Sequence, residues 1–184
     1  NKEDMWISRI PVPVEINASA HADDDFSKNK SIAELTDWNI YSPVWAPVSL
    51  EDQWLKLQDK DPFDYAKVER KIPASKELKV SFDLKAGQNN KGTLQIEFLD
   101  ENGIACSRME LADDGIFRLK GGSRFANMMK YEAGKVYHVE AVLSTVDRNI
   151  QVYVDGKRVG LRMFYAPVAA VERIVFRTGV PRTF

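Results

Sequence analysis

The dipeptide Asp155-Gly156 constrains the fold of this 184-residue chain more than any other short stretch. It follows Ile150, Val152 and Val154, which alternate with polar residues, and it precedes the short segment Lys-Arg-Val-Gly. Asp-Gly readily adopts the two positive φ angles of a type I′ turn, and a hydrophobic period of two is typical of a half-buried strand. The stretch therefore predicts a β-hairpin.

Alternating segments of the same kind recur along the chain at intervals of about 8–12 residues, separated by Asn-Gly, Asp-Gly and Gly-Gly signals. The most regular are residues 78–84 and 94–98. Such alternation gives each strand one buried and one solvated face, as expected for antiparallel sheets. We therefore predict an all-β fold, an antiparallel two-sheet β-sandwich of the jelly-roll type. The predicted strands are 38–41, 54–57, 66–72, 78–84, 93–99, 106–111, 116–119, 136–143, 150–154 and 172–178.

The N-terminal segment differs from the rest because Pro11 and Pro13 interrupt a strand-like run at residues 5–14. Proline cannot donate a ladder hydrogen bond, so this run predicts a strand that ends in an extended linker. We predict that residues 1–17 end a preceding domain, 18–179 form the sandwich and 180–184 form an exit tail. We also expect the tryptophan-rich segment 38–54 to close against the late hairpin.

Composition excludes several function classes. The chain has 26 basic and 27 acidic side chains and a formal net charge of −1, which argues against nucleic-acid binding and against a polybasic membrane surface. No apolar run approaches the ~20 residues of a membrane span. The single Cys106 excludes an internal disulfide and a thiolate metal cluster, and we predict that it is a small buried hydrophobe.

Glycoside hydrolysis needs two carboxyl groups roughly 5–10 Å apart, so a pair of acidic residues at that distance would indicate this activity. The sequence has no Glu-x-Asp-x-Glu run, and a cross-strand pair of Asp83 with Glu97 stays open. His138 and Glu140 are spaced so that they share a strand face, but a third metal ligand is not apparent. We therefore assign no catalytic residue and no metal ligand, and we predict that the chain is not catalytic by itself. A sandwich that is itself a glycoside hydrolase or polysaccharide lyase remains the alternative.

Acidic loops are the one candidate feature for a cofactor. Residues 23–25 and 113–114 are consecutive aspartates, whose oxygens suit calcium, but the twelve-residue calcium-loop pattern is absent. Acidic runs beside turns usually cap or solubilise. We predict no cofactor and leave calcium open as the alternative.

Aromatic residues are concentrated in the segment 38–54, where prolines interrupt the chain. Exposed indole rings can stack on the C–H faces of sugars, and arginine can bind an acidic sugar through two parallel hydrogen bonds. The competing interpretation is that the tryptophans are core residues and the arginines are surface charges. The candidate carbohydrate-binding residues are Trp38, Trp45, Trp54 and Arg118.

Several runs together resemble the concanavalin A-like (laminin-G-like) β-sandwich. The resemblance covers most of residues 23–179, and its carriers are the stretch 23–27 (Asp-Asp-Asp-Phe-Ser), the stretches 37–39 and 45–57, the hairpin 152–159 and the closing strand 173–179. In that family an Asp-Phe-Ser start leads into a tryptophan strand. The resemblance implies the sandwich fold already predicted from the strand pattern.

A narrower resemblance is to sandwiches appended to sialidase-like (BNR-repeat) β-propeller glycosidases of polysaccharide-degrading bacteria. It is carried by residues 3–13, 57–66 and 177–179. The Asp-box motif Ser-x-Asp-x-Gly-x-x-Trp is absent, so no propeller catalytic residue can be assigned here.

This resemblance implies a non-catalytic accessory domain of a larger enzyme that is secreted, periplasmic or at the cell surface. The implied partners are a carbohydrate or the neighbouring catalytic domain of the same polypeptide, with no nucleic acid and no membrane insertion. A purely structural or oligomerising module is the remaining alternative.

Overall fold

The computed structural model describes residues 22–179. Two one-turn 3-10 helices, Phe26–Lys28 and Ile32–Glu34, precede the first strand. The predicted N-terminal strand and linker and the exit tail lie outside the described residues. The strands are β1 (Trp38–Tyr41), β2 (Val48–Glu51), β3 (Trp54–Leu57), β4 (Lys67–Ser75), β5 (Glu77–Lys85), β6 (Leu94–Leu99), β7 (Ala105–Leu111), β8 (Ile116–Gly121), β9 (Arg124–Lys130), β10 (Val136–Ser144), β11 (Asn149–Val154), β12 (Lys157–Met163) and β13 (Val171–Thr178).

These strands form two main sheets and a small hairpin sheet. The larger sheet has seven strands in the order β1-β4-β13-β6-β7-β8-β9, and the smaller has four in the order β12-β11-β10-β5. In the described part of the chain, β2 and β3 pair only with each other. Every pairing is antiparallel, which confirms the predicted all-β sandwich.

The main core lies between the inner faces of the two large sheets. Ile96 and Phe98 of β6 are fully buried there, as are Val139 and Leu143 of β10. Burying a large apolar side chain of this kind stabilises the fold by about 1.5–3 kcal/mol. Because apolar residues alternate along each strand, filling this core turns the intervening polar side chains outward on both sheets.

A second, smaller core lies at the β1 edge of the seven-stranded sheet, against the β2–β3 hairpin. Its fully or almost fully buried members are Ala46, Val48, Ala66 and Val68. Ile40, Leu55 and Leu57 are among the half-buried residues that pack on it. This core fixes the position of the loops before β2 and β4.

The predicted hairpin is confirmed as β11–β12. Asp155 and Gly156 have φ angles of 50° and 77°, as a type I′ turn requires. The Asp155 carboxylate accepts a hydrogen bond from the backbone N–H of His138 (3.0 Å), which ties the turn to β10. A bulge at Val152/Tyr153 interrupts the register between the two strands.

The expectation that the tryptophan-rich segment closes against this hairpin is wrong. β1 is one edge of the seven-stranded sheet, whereas β12 lies against β8 and β9 at the opposite edge. β13 inserts between β4 and β6, so the chain places its early and late strands at different ends of the sheet. Strands β2 and β9 were not predicted, because neither alternates clearly.

Candidate functional site

The outer face of the seven-stranded sheet carries polar and charged side chains across nearly its whole width, and we call it the polar face. One row follows the strand register from β1 to β9 without a break. Its members are Tyr41, Lys67, Arg177, Gln95, Glu110, Arg118 and Asn127. The row exists because each of these residues alternates with an inward-facing neighbour.

An adjacent row of the polar face contains a buried ion pair. Glu97 of β6 lies opposite Arg108 of β7, and the Arg108 Nε–H donates to Glu97 Oε1 at 2.7 Å. The side chains are only 11% and 17% exposed. In the same row, Glu69 of β4 accepts a hydrogen bond from Arg173 of β13 (3.1 Å). Charges that are taken out of water in this way must stay paired, so their positions are fixed.

Gln95 is fully buried although it lies on the outer side of its sheet. Its amide Nε2 donates to Glu110 at 3.2 Å. Arg118, a predicted carbohydrate-binding residue, lies beside Glu110 (3.9 Å), donates to Asn127 (3.2 Å) and pairs with Asp114. The structure thus places Arg118 on the polar face, where acidic and amide groups hold its guanidinium in place.

Some buried polar atoms of this face have no protein partner among the described residues. They are Gln95 Oε1, Arg173 Nε, Arg177 Nε and the hydroxyl of Tyr165. Buried polar groups in proteins are almost always hydrogen-bonded, to protein, to water or to a ligand. Because these atoms are covered, only a small polar partner such as water can complete their hydrogen bonds.

Tyrosine rings lie beside the charged rows. The guanidinium of Arg177 is 5.0 Å from the ring centroid of Tyr65, and the Lys120 ammonium is 4.4 Å from that of Tyr165. Burial raises the pKa of Tyr165 to about 12, against the opposing effect of Arg108. Its hydroxyl is therefore neutral at physiological pH and can both donate and accept a hydrogen bond.

An aromatic edge, which we define as Tyr41, Trp45, Phe63 and Tyr65, borders the polar face at the β1 side. The rings of Tyr41 and Tyr65 are 5.1 Å apart, and the Tyr41 hydroxyl donates to Asp64 (3.1 Å). The loops that carry Trp45 and Phe63 are joined by a hydrogen bond from the Lys60 N–H to the Trp45 carbonyl (3.0 Å). Trp45 is 63% and Phe63 78% exposed.

The three predicted tryptophans have different environments. Trp38 packs between Phe26 and Phe176, with centroid distances of 5.8 and 6.4 Å, and contributes to the second core. Trp54 is half-buried on β3, and Trp45 is largely exposed. A carbohydrate-binding role for each stays a prediction, and Trp45 is the one whose indole is available to a ligand.

The other acid–base candidates do not converge. On the outer face of the four-stranded sheet, Asp83 contacts His138 (2.8 Å) and Glu140 pairs with Lys79 (2.7 Å). Glu97 belongs to the outer face of the other sheet, so the whole sandwich separates it from Asp83. The two carboxylates that a glycosidase would need are therefore not brought together by this pair.

Cys106 is fully buried, and burial raises the pKa of its thiol to about 12, which fits the predicted packing role.

In the acidic N-terminal loop, Asp24 pairs with Arg70 (2.9 Å). Asp25 accepts the backbone N–H of Ser27, and this hydrogen bond lowers the pKa of Asp25. Among the described residues, no group of three or more His, Cys, Asp or Glu side chains is arranged to hold a metal ion. Within residues 22–179, no helix is both long and apolar enough to span a bilayer.

Sequence reasoning missed Tyr65, Tyr165 and Arg177, which the fold brings to the polar face. The available signal was that polar residues alternate with apolar ones in β6; β13 contains the apolar run Ile-Val-Phe, and Tyr65 and Tyr165 lie outside the strands. That alternation shows which residues share a face of one strand, but it does not give the order of the strands in the sheet.

Comparisons with known proteins agree with this architecture. A model of the domain family described as "Sialidase-like, CBM domain", where CBM denotes a carbohydrate-binding module, matches residues 38–184. A solved structure of a sialidase is 88% identical, with a TM-score of 0.91; it covers 96% of this chain, which in turn spans 16% of that sialidase chain. A search of curated protein sequences found no match.

More distant structures share only the fold. The apo Crh5 transglycosylase has a TM-score of 0.62 at 11% identity, over 91% of this chain and 73% of its own. The Emp47p carbohydrate recognition domain has a TM-score of 0.57 at 11% identity, over 84% and 83%. The family match spans most of the chain and confirms the resemblance inferred from the sequence. The chain belongs to the sialidase-like carbohydrate-binding module (CBM) domain family.

Proposed function

We propose that this domain is a non-catalytic accessory module that binds a carbohydrate on the polar face, next to the catalytic part of a larger glycan-degrading enzyme. The observation that carries the proposal is the unbroken polar row across the seven-stranded sheet, with buried Gln95 at its centre. Sugars present dense hydroxyl groups that need both donors and acceptors. A fixed surface of amides, carboxylates and guanidiniums meets that need at little ordering cost.

The charge of the polar face favours an acidic sugar. The polar row contains Lys67, Arg177 and Arg118 against the single acid Glu110, although Asp114 also pairs with Arg118 and the chain as a whole has a net charge of −1. Arginine binds a carboxylate through two parallel hydrogen bonds, and among the described residues the Arg177 guanidinium contacts the Tyr65 ring and forms no ion pair with an acid. We therefore propose that a sugar carboxylate lies near Arg177, whereas Arg118, three strands away in the same row and about 14 Å distant, would contact only a longer glycan.

The aromatic edge supplies the apolar half of sugar recognition. An exposed ring can stack on the C–H face of a pyranose while the sugar hydroxyls reach the polar row. Trp45 is the exposed indole and Tyr65 is the ring beside Arg177. We propose that one sugar unit stacks at this edge and that the next lies over the sheet.

Isothermal titration calorimetry of the isolated domain with sialyllactose and with lactose tests the proposal. We expect sialyllactose to bind more tightly, and Arg177→Ala and Trp45→Ala to weaken it by about tenfold each, since a charge-assisted hydrogen bond or a stacked ring is worth on the order of 1–2 kcal/mol. Lys79→Ala, on the outer face of the four-stranded sheet, is the matched control and should bind as the wild type does. A heat signal that Lys79→Ala changes as much as Arg177→Ala would contradict the proposed face.

A second candidate function is that the module supports the catalytic part of the enzyme instead of binding sugar. The exposed Val44 (84%) and Phe63 favour it, because apolar side chains of this size are often covered by another domain. No heat change across a panel of plant and host glycans, together with a lower melting temperature of the full enzyme after Phe63→Ser, would favour this function over glycan binding.

We infer an extracytoplasmic location and no requirement for a cofactor, supported by the family of the chain and by the engagement of Asp24 and Asp25 within the fold. Glycan binding should be the same in EDTA and in millimolar calcium. Cell fractionation of the native host tests the location. Binding that is lost in EDTA would show that calcium is needed.

A further inference from the structure

The two main sheets leave their edge strands side by side at the end of the sandwich opposite the aromatic edge. Within residues 22–179, β9 pairs only with β8, and β12 only with β11. The strands approach closely at Gly160, where a Cβ atom would lie 2.7 Å from the sulfur of Met128. Edge strands present backbone N–H and C=O groups that can pair with a further strand. We call the space between β9 and β12 the edge groove.

Apolar side chains and two polar ones line the edge groove. It encloses a cavity of about 220 Å³, and its lining residues are the apolar Leu119, Ala126, Met128, Val159 and Leu161, together with Gly160, Asn127 and Arg162. This volume is below the roughly 300–1,000 Å³ of small-molecule pockets, so it suits single apolar side chains of a chain that lies along the edge. Methionine adapts its shape to different apolar partners.

Both ends of the edge groove are positively charged. Arg162 lies against Gly121, which is the register partner of Arg124, so these two arginines share one end. Lys157 and Arg158 lie at the other end of β12, beyond the close contact at Gly160. Strands β8, β9 and β12 contain no aspartate or glutamate. Among the described residues, none of these four cations forms an ion pair with an acid.

This distribution selects the chemistry of a partner. Unpaired cations at both ends favour acidic groups, and the apolar middle favours aliphatic side chains. Lys157 and Arg162 are five residues apart, about 17 Å in an extended strand, so a segment of roughly six residues reaches both ends. A glycan fits less well, because the cavity lining has no aromatic ring on which sugars stack.

We propose that the edge groove docks an extended acidic segment of another polypeptide, with acids at its ends and aliphatic residues between them, which adds a strand to β9 or β12. Strand addition of this kind obtains affinity from main-chain hydrogen bonds and specificity from alternate side chains. The site meets the polar face only at Asn127, the last residue of the polar row, and the cations tested here lie outside that row, so either proposal can fail without the other.

Fluorescence anisotropy with a labelled Glu-Glu-Val-Leu-Val-Glu-Glu peptide tests the proposal on the isolated domain, with Lys-Lys-Val-Leu-Val-Lys-Lys as its charge-reversed control. We expect the acidic peptide to bind and the basic one not to bind. Arg162→Glu and Lys157→Glu should each weaken binding more than tenfold, whereas Lys79→Glu on β5 should leave it unchanged. Leu161→Ser, at an exposed groove position, should also weaken binding and is not expected to unfold the protein.

Hydrogen exchange then distinguishes strand pairing from attraction by charge alone. The bound peptide should slow exchange of backbone amides in β9 or β12 and leave those of β5 unchanged. Equal binding of both peptides, unchanged binding by Arg162→Glu, or binding without protection of an edge strand would overturn the proposal. Tight binding of heparin, without binding of the acidic peptide, would also overturn it and would indicate an anionic glycan. A dimer in sedimentation that Arg162→Glu abolishes would overturn it as well and would indicate that a second copy of the chain is the partner.

Discussion

The two outer faces of this sandwich are built from the same alternating sequence pattern, yet they differ in how far water reaches them. On the polar face, the side chains of Glu97 and Arg108 are almost covered. On the outer face of the four-stranded sheet, which we call the solvated face, the side chains of Asp83 and His138 are 59% and 56% exposed. Both faces contain close pairs of opposite charge, but only on the polar face is such a pair almost fully covered from solvent.

The difference shows that the neighbours of a charge determine its role more than its place in a strand. The polar face is seven strands wide, so long side chains from adjacent strands cover one another, and Tyr65 and Tyr165 add apolar area beside them. Exposed ion pairs are worth little and adapt freely, whereas covered ones are fixed in position. Fixed polar groups are what a binding surface needs, so we place the carbohydrate site on the polar face.

The largest expected contrast is in thiol reactivity. Cys106 is buried and its pKa is raised to about 12, so at pH 8 its thiolate fraction is on the order of a thousandfold lower than that of an ordinary cysteine. Ser81→Cys adds a thiol on the solvated face. Titration with a chromogenic disulfide should show one fast thiol in this variant and a protected one that reacts only after unfolding. Two fast thiols in the folded variant would show that the core opens near Cys106.

The next contrast is in stability. Glu97→Ala leaves Arg108 covered and unpaired, which should lower the free energy of unfolding by about 3 kcal/mol. Glu140→Ala removes the partner of the exposed Lys79 and should lower it by less than about 0.5 kcal/mol. Urea denaturation of both variants measures the two values. Similar losses in the two variants would remove the distinction between the faces.

Alkaline pH should affect the polar face at Tyr165. Its pKa is raised to about 12 in the folded protein, whereas an unfolded tyrosine titrates near 10. The folded state therefore keeps this proton when the unfolded state loses it, so the stabilising contribution of Tyr165 is complete below pH 10 and is lost as the pH rises towards 12. In absorbance titrations of phenolate, Tyr165→Phe should remove a late step that Tyr153→Phe retains. A profile that Tyr165→Phe leaves unchanged would mean that the ring is not covered.

The smallest expected effect is on the solvated face itself. Asp83→Asn removes the charge that contacts His138, but both groups are more than half exposed, so the free energy of unfolding should change by less than about 0.5 kcal/mol. Thermal unfolding at low and high salt measures the change. A loss of several kcal/mol would show that this pair is as important as Glu97–Arg108.

Much of the fold followed from local patterns. The strands at 78–84, 94–98 and 150–154 were predicted because apolar and polar residues alternate there, and β1 and β3 were predicted with the bounds that the structure has. Strand β9, Arg-Phe-Ala-Asn-Met-Met-Lys, was missed because it is a sheet edge with exposed residues on both sides, so no single face had to be apolar.

The site was harder to predict than the fold, because it depends on strand order. Arg177, Gln95 and Tyr65 are far apart in the sequence and meet only because β13 inserts between β4 and β6. Trp38 and Trp45 also show that the concentration of tryptophans in a segment does not predict which indole is exposed. Trp38 lies in a strand whose inner face is covered, whereas Trp45 lies in the turn at residues 43–46 and is exposed. The same side chain therefore has a packing role in one position and is open to a ligand in the other.

The most direct test of the account is an NMR titration of the isotope-labelled domain with sialyllactose, following the backbone amides and arginine side chains. We predict that shifts concentrate in β4, β13 and β6 and at Trp45, whereas β5 and β10 stay unchanged. Shifts confined to β5 and β10 would contradict the central claim, because they would place the sugar on the solvated face.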